Sequence, residues 1–258
     1  MTAPQFITSR DNPQLRALRK LAGDNTGYRK SGQVWVEGEH LCSAALMRGV
    51  RPVMAVVAQS LWADGQSTWA AQSANTLVLP DALFKAISTL ESPGAVGFVL
   101  AVPVQGALDP ATASVVLDRV QDAGNVGSIL RSAAAFGFKQ VIALRETAAL
   151  WSPKVLRAGM GAHFGLSLFE AVTVDALNNL QIPLVVTSSH TGALIQDARL
   201  PFPCAWVLGH EGQGVSPTLL ARAALQVRIG QPGGEESLNV AAAAAICLHA
   251  SAAGFDAG

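Results

Sequence analysis

The chain has 258 residues, half of them hydrophobic and only 14% charged, with 18 Lys and Arg against 18 Asp and Glu. This composition excludes a disordered, acidic-tailed or collagen-like chain and provides enough apolar residues for one large or two modest domains. Net neutrality, taken alone, also counts against a nucleic-acid partner, since domains that bind phosphates are usually basic.

The neutrality is uneven along the chain. The first 60 residues hold eight basic side chains and four acidic ones, a net +4, so the remainder carries −4. Arg10, Arg16, Arg19, Lys20, Arg29 and Lys30 make up most of this basic front. They are candidates for contacts with nucleic-acid phosphates, against the alternative of a solvated helix face.

In chain order, the start MTAPQFITSRDNPQ lacks the continuous apolar core of a secretion signal. Leu15, Leu18 and Leu21 lie three apart and predict one helical face, with Arg16, Arg19 and Lys20 around it. A strand at Gln33–Glu37 and a helix from Glu39 to Arg48, closed by Gly49, follow. Strands at Val53–Ala58, Leu77–Leu79 and Gly97–Val102, with a helix over Asp81–Thr89, complete an α/β domain over residues 1–101. Residues 102–112, with two prolines and a glycine, read as a linker.

Residues 113–258 alternate strand and helix more strictly. Strands are predicted at Val115–Asp118, Gln140–Leu144, Leu166–Phe169, Pro183–Ser188, Ala205–Leu208 and Gln226–Ile229. Helices fall at Asn125–Phe136, Pro153–Gly161, Val174–Leu180, Pro217–Ala224 and Leu238–Ala252. Six apolar strands with intervening helices imply a mostly parallel six-stranded sheet covered on both faces. Val240 to Leu248, the longest apolar run, is too short to span a bilayer. Cys42, Cys204 and Cys247 form no CxxC pair and are odd in number, which predicts buried, reduced thiols. The expectation is a soluble cytoplasmic protein with no metal site and no membrane partner.

Ligands of open α/β sheets lie beyond the carboxyl ends of the strands, and three loops there stand out. The first, DRVQDAGNVGSILRSAAAFGF, holds Asn125 and Gly127 with Arg131 further along the helix. The apolar neighbours of Arg131 predict an inward-facing charge that binds a phosphate or hydroxyl. The second, LGHEGQGVSP, places Glu211 among three glycines, through which backbone can approach a ligand closely; a tight strand-to-helix turn is the bland alternative. The third, IGQPGGEESLNV, brings Ser237 and Asn239 to a helix start, where helix capping alone would account for the serine. No GxxxxGK[ST] loop is present, which excludes a P-loop nucleotidase, and the glycine spacing gives only a weak dinucleotide fingerprint. A nicotinamide-dependent α/β oxidoreductase and a non-catalytic RNA-binding factor are the competing readings.

The ordered set Asn125-x-Gly127-x-x-x-Arg131 with Phe136–Gly137, then Gly209-x-Glu211-x-x-Gly214, then Glu236–Ser237–Leu238–Asn239–Val240 resembles the SpoU (TrmH-type) branch of the SPOUT methyltransferase superfamily. Ile7-x-Ser9, Asn12 and VEGEHL (36–41) resemble that family's ribosomal-protein-like substrate-recognition domain. The resemblance implies a SPOUT fold with a deep C-terminal trefoil knot over residues 113–258. It implies S-adenosylmethionine as methyl donor, a homodimer, and transfer to a ribose 2′-hydroxyl of RNA. Ribosomal RNA is favoured over tRNA because the recognition domain is full-length.

By carry-over, Arg131, Asn125, Ser237, Asn239 and Glu211 form the catalytic set. Arg131 would at the least position the phosphate or hydroxyl, and with a strongly depressed pKa it could also deprotonate the hydroxyl, a guanidinium being otherwise a poor base. Glu211 would order its loop. Leu208, Gly209, Gly214, Ile229, Leu238 and Val240 would surround the donor. The sequence departs from the family pattern at His210, where Asn is commoner, and at Gln231–Pro232, where a proline-first order is commoner.

Overall fold

A computed structural model describes residues 3–63, 68–188, 191–233 and 237–256. The chain divides into two compact units, Met1–Val104 with Trp151–Phe164, and Gln105–Leu150 with Gly165–Gly258.

The first unit contains β1 (Gln5–Phe6), α1 (Pro13–Gly23), α2 (Tyr28–Ser31), β2 (Gln33–Glu37), α3 (Glu39–Met47), β3 (Met54–Ala58), α4 (Gln59–Ala63), β4 (Thr76–Leu79), α5 (Asp81–Lys85) and β5 (Val96–Ala101). Its sheet runs β1-β4-β3-β5-β2, with β2 and β5 antiparallel and β1, β4 and β3 parallel. Local chemistry sets its helix starts. The Asn12 side chain accepts from the Gln14 N–H at 2.8 Å and Pro13 opens α1, after which Leu15, Leu18 and Ala22 turn into the core. At the β2–α3 turn, Gly38 sits at φ +90°, a conformation suited to glycine. Beside it, Glu37 accepts from the Ser88 hydroxyl at 2.7 Å and the Gly94 N–H at 3.0 Å. This carboxylate is half-buried, so these two charge-assisted bonds fix the 88–94 loop to the sheet end.

The second unit continues with β6 (Ser114–Asp118), α6 (Ala123–Ala135) and β7 (Gln140–Leu144). The next helix, α7 (Pro153–Gly159), belongs to the first unit. It packs beside β2, and Arg157 Nη1 donates to Thr89 Oγ1 at 3.0 Å. In the sequence this segment lies within the C-terminal region, residues 113–258. Strands β8 (Ser167–Val172), β9 (Leu184–Thr187), β10 (Ala193–Leu194) and β11 (Ala205–Gly209) follow, then α8 (Pro217–Arg222), β12 (Leu225–Arg228) and α9 (Val240–Asp256). The predicted helix at Val174–Leu180 is a 3-10 turn over Val174–Asn179.

This sheet has seven strands, not the six predicted, in the order β10-β12-β9-β11-β6-β7-β8, and every pairing is parallel. The additional strand, β10, is two residues long and therefore too short to show any periodicity in sequence. Central strands β6, β7 and β11 are buried at every position, as a parallel sheet covered on both faces requires. Cys42, Cys204 and Cys247 are free and buried. Desolvation pushes the Cys204 and Cys247 thiols up to about 12, which keeps them protonated at neutral pH. No helix among the described residues is long and apolar enough to cross a membrane.

Candidate active site

Strand register explains why loops distant in sequence meet. β11 pairs parallel with β6 so that Gly209 lies opposite Asp118, and the loops that follow leave the same carboxyl edge side by side. Asp118 is buried; it accepts the Arg119 Nε–H at 3.1 Å and the Ser216 N–H at 2.6 Å. Arg119 adopts φ +62°, uncommon outside glycine, and its Nη1 donates to Gln213 Oε1 at 2.8 Å. The hydrogen bond it donates to Asp118 holds the Arg119 pKa above its ordinary value.

The loop after β11 folds back on itself. His210 and Gly214 exchange backbone hydrogen bonds of 3.1 and 2.8 Å. His210 Nδ1 accepts the N–H groups of Gly212 and Gln213 at 3.0 and 3.2 Å. A Cβ on Gly209 would lie 2.1 Å from the Gly214 carbonyl carbon, so only glycine permits this approach.

Glu211 points out of that loop toward the first motif. Its carboxylate accepts from the backbone N–H of Gln121 at 3.2 Å and of Asp122 at 3.1 Å, and from Asn125 Nδ2 at 3.2 Å. Partial burial raises its pKa, but the hydrogen bonds from Asp122, Asn125 and Gln121 outweigh it, and the net shift is downward. Asn125 Oδ1 in turn accepts from Asn239 Nδ2 at 2.9 Å. Asn239 Oδ1 caps α9 by accepting the Ala241 and Ala242 N–H groups at 2.9 and 3.3 Å. Glu211, Asn125 and Asn239 thus form one chain of hydrogen bonds through all three motif loops. The Glu211 carboxylate is the acceptor in its bonds from Gln121, Asp122 and Asn125, as its acceptor-only ionised form allows.

A cleft of about 460 Å³ opens beside this network. Of the sequence-predicted residues, Gly209, Glu211, Gly214, Ile229, Ser237, Leu238 and Val240 line it. Leu208 does not; it is fully buried inside β11. Asn125 and Asn239 do not line it; Asn125 bonds the lining residue Glu211, and Asn239 bonds Asn125. Ser237 is exposed, and the capping role open to it in sequence belongs to Asn239. Glu236 lies outside the described residues.

Arg131 corrects an expectation, because it is exposed. The helical period sends its apolar neighbours Val126, Ile129, Leu130 and Ala133 into the core and leaves Ser128, Arg131 and Ala135 on the opposite face. Among the described residues it makes no hydrogen bond, so its guanidinium is available to a ligand. In the first unit, Arg16, Arg19 and Lys20 share one face of α1, while Arg29 and Lys30 lie on α2 and Arg10 precedes α1. All are exposed except the half-buried Arg19.

Asp118, Arg119, Gln213 and Ser216 escaped the sequence reading. The signal available was an acid at the predicted end of an apolar strand; its partner 98 residues away had none. A larger cavity of about 650 Å³ lies around Ile195, Arg199, Phe202 and Ala250, but no motif residue lines it. Among the described residues there is no group of three His, Cys, Asp or Glu side chains placed to hold a metal ion.

The SpoU rRNA methylase family model matches residues 112–249, which include all three motif loops. The chain belongs to the SpoU rRNA methylase family. SpoU enzymes are S-adenosylmethionine-dependent RNA ribose 2′-O-methyltransferases, and membership removes the oxidoreductase reading. The model of an MRM3-like substrate-binding domain matches residues 12–97, within the first unit. The chain is 30% identical to the 23S rRNA (guanosine(2553)-2′-O)-methyltransferase RlmP of Bacillus subtilis, over 94% of this chain and 97% of that one. It is 31% identical to an uncharacterised tRNA/rRNA methyltransferase of Synechocystis, over 94% and 92%. Among solved structures, a TrmH-family RNA methyltransferase of Porphyromonas gingivalis superposes with a TM-score of 0.81 at 30% identity, covering 94% of this chain and 98% of that one. An AdoMet-bound rRNA methyltransferase of Sinorhizobium meliloti gives 0.83 at 25% identity, covering 96% and 97%.

The SpoU cleft of this chain fits the methyl donor on its own geometry. Its volume suits a nucleoside-sized ligand. The turn at Gly209 brings bare backbone to its edge, and Ile229, Leu238 and Val240 give it apolar surface.

Proposed function

We propose that this protein methylates a ribose 2′-hydroxyl of ribosomal RNA, with S-adenosylmethionine held in the cleft between the loop after β11 and the start of α9. The observation that carries the reading is the Glu211–Asn125–Asn239 hydrogen-bond chain, which joins three separate loops beside a donor-sized cleft at the carboxyl edge of the sheet. Ribosomal RNA is preferred to tRNA because RlmP and the Streptomyces viridochromogenes 23S rRNA (uridine(2479)-2′-O)-methyltransferase, 28% identical over 96% of this chain, are named for it.

The bound donor supplies an electrophilic methyl group. The protein's part is to bind, orient and exclude water. Backbone at Gly209 and Gly214 and the side chains of Ile229, Leu238 and Val240 hold the donor. Arg131, exposed and without a hydrogen-bond partner among the described residues, binds the RNA phosphate and orients the 2′-hydroxyl. Ser237, at the cleft wall, offers the ribose a neutral hydrogen bond. Asn125, Asn239 and Glu211 fix the loops that carry these groups. The basic face of α1, with Arg10, Arg29 and Lys30, contacts phosphates.

Two features complete the reading. The first is the trefoil knot: β11 lies between β9 and β6, and the chain that leaves β12, beyond β9, returns to pack α9 against α6 and β11. The second is a homodimer, supported by the outward face of α9, where Ala242, Ile246 and His249 are exposed and Ile246 retains 41% of its surface. Function in the cytoplasm accords with the buried, protonated thiols.

The test is mass-spectrometric mapping of ribose methyls in total RNA from cells with and without the gene, followed by methylation of the unmodified RNA with purified protein. One ribosomal 2′-O-methyl that disappears and is restored is the expected result. A base methyl, or a site in tRNA alone, would overturn the assignment.

A further inference from the structure

Buried polar atoms without a partner are costly, by roughly 1–3 kcal/mol each, and native proteins keep few of them. One lies in the cleft: Gln231 lines it, and its Oε1 is buried with no hydrogen-bond partner among the described residues. The other side-chain amide in the lining, Gln213, already accepts from Arg119 at 2.8 Å. Gln231 also belongs to the Gln231–Pro232 departure from the family pattern, so its amide is a property of this chain.

A buried acceptor requires a donor from the ligand. S-adenosylmethionine carries three kinds: an ammonium, ribose hydroxyls and the exocyclic amine of adenine. The ammonium favours a charged or water-exposed position. Hydroxyls can turn to any acceptor, water included. Gln231 follows Ile229 by two residues, and with Ile229 and Leu238 in the same lining its surroundings suit a flat, neutral base. Amide side chains pair with the adenine amine edge by matching geometry. We propose that the Gln231 side chain reads the exocyclic amine of the donor's adenine and sets the base specificity of the cleft. This rests on the placement of the donor in the cleft proposed above.

The test measures binding by calorimetry to the full-length protein, using S-adenosylhomocysteine and its analogue lacking the 6-amino group. The unsubstituted protein should prefer the amino compound by roughly tenfold or more, the loss expected when a buried acceptor goes unpaired. Gln231→Met, close in size and shape, should weaken the amino compound about tenfold and bring the ratio near one. Gln231→Glu keeps an acceptor and should retain the preference. Leu238→Asp is the control for the cleft: it should weaken both compounds equally and leave the ratio intact. An unchanged ratio in Gln231→Met, or no preference in the unsubstituted protein, overturns the inference while the cleft assignment stands. Indifference of both compounds to Leu238→Asp overturns the cleft assignment and the inference with it.

Discussion

The two units organise their polar side chains in opposite ways. In the first, the basic residues of α1 and α2 point mostly into solvent, with Arg16, Lys20 and Lys30 exposed. In the second, the polar residues of the motifs bind one another: Glu211 to Asn125, Asn125 to Asn239, Asp118 to Ser216. Exposed charges act at long range and are screened by salt, which suits capture of a polyanion. A closed network holds geometry and is insensitive to salt, which suits an active site. Among the motif residues of the second unit, Arg131 is exposed and makes no hydrogen bond to the other described residues.

The contrast breaks most sharply at Arg131. Arg131→Ala should lower methyl transfer by at least ~10²-fold, because the reacting hydroxyl loses its orientation. Affinity for S-adenosylhomocysteine, measured calorimetrically, should change by less than about twofold, since Arg131 does not line the cleft. Equal losses in both would make Arg131 structural.

Gly209→Ala attacks the donor side. The added Cβ meets backbone at 2.1 Å, with no flexible side chain to yield. A destabilisation of about 1–3 kcal/mol is expected from urea unfolding, with weaker donor binding. A stable variant with unchanged affinity would show that the turn tolerates rearrangement.

The first unit is tested by salt. Replacing Arg16, Arg19 and Lys20 with alanine should weaken RNA binding roughly tenfold and reduce the slope of log affinity against log salt by about 2–3. Donor binding should not move. An unchanged slope would return α1 to the status of a solvated helix face.

The smallest effect concerns pH. The folded-state pKa of Glu211 lies below the ordinary carboxylate value. Its anchoring is therefore complete above the pKa of a free carboxylate, declines as pH falls toward the folded value, and is lost below it. Glu211→Gln should flatten the acid limb of donor binding. A limb that persists unchanged would assign it to another group.

Much of this architecture is legible from local pattern. The alternation of apolar runs and helical periods located β2, β7 and β11 almost to the residue, because each is buried and bounded by turn residues. The two-residue strands β1 and β10 and the four-residue α2 are too short to carry a period. For Arg131, the composition of the neighbouring residues misled, because a helix separates adjacent residues onto opposite faces. Leu208, carried over from the family resemblance, is buried in β11 and does not line the cleft.

The sequence by itself determined the class of fold, the uneven charge and the ordered motif residues, because these depend on residue type, spacing and local backbone preference. Only the tertiary structure decided which motif residues touch. Glu211 reaches Asp122 across 89 positions, through β11 pairing with β6 in a register that sets Gly209 against Asp118, and Asn239 reaches Asn125 across 114, through α9 packing on α6. Strand pairing between remote segments leaves no local signature. The neutral total is likewise a sum over two regions, and folding determines that one leaves its charges to solvent while the other joins its polar groups into a site.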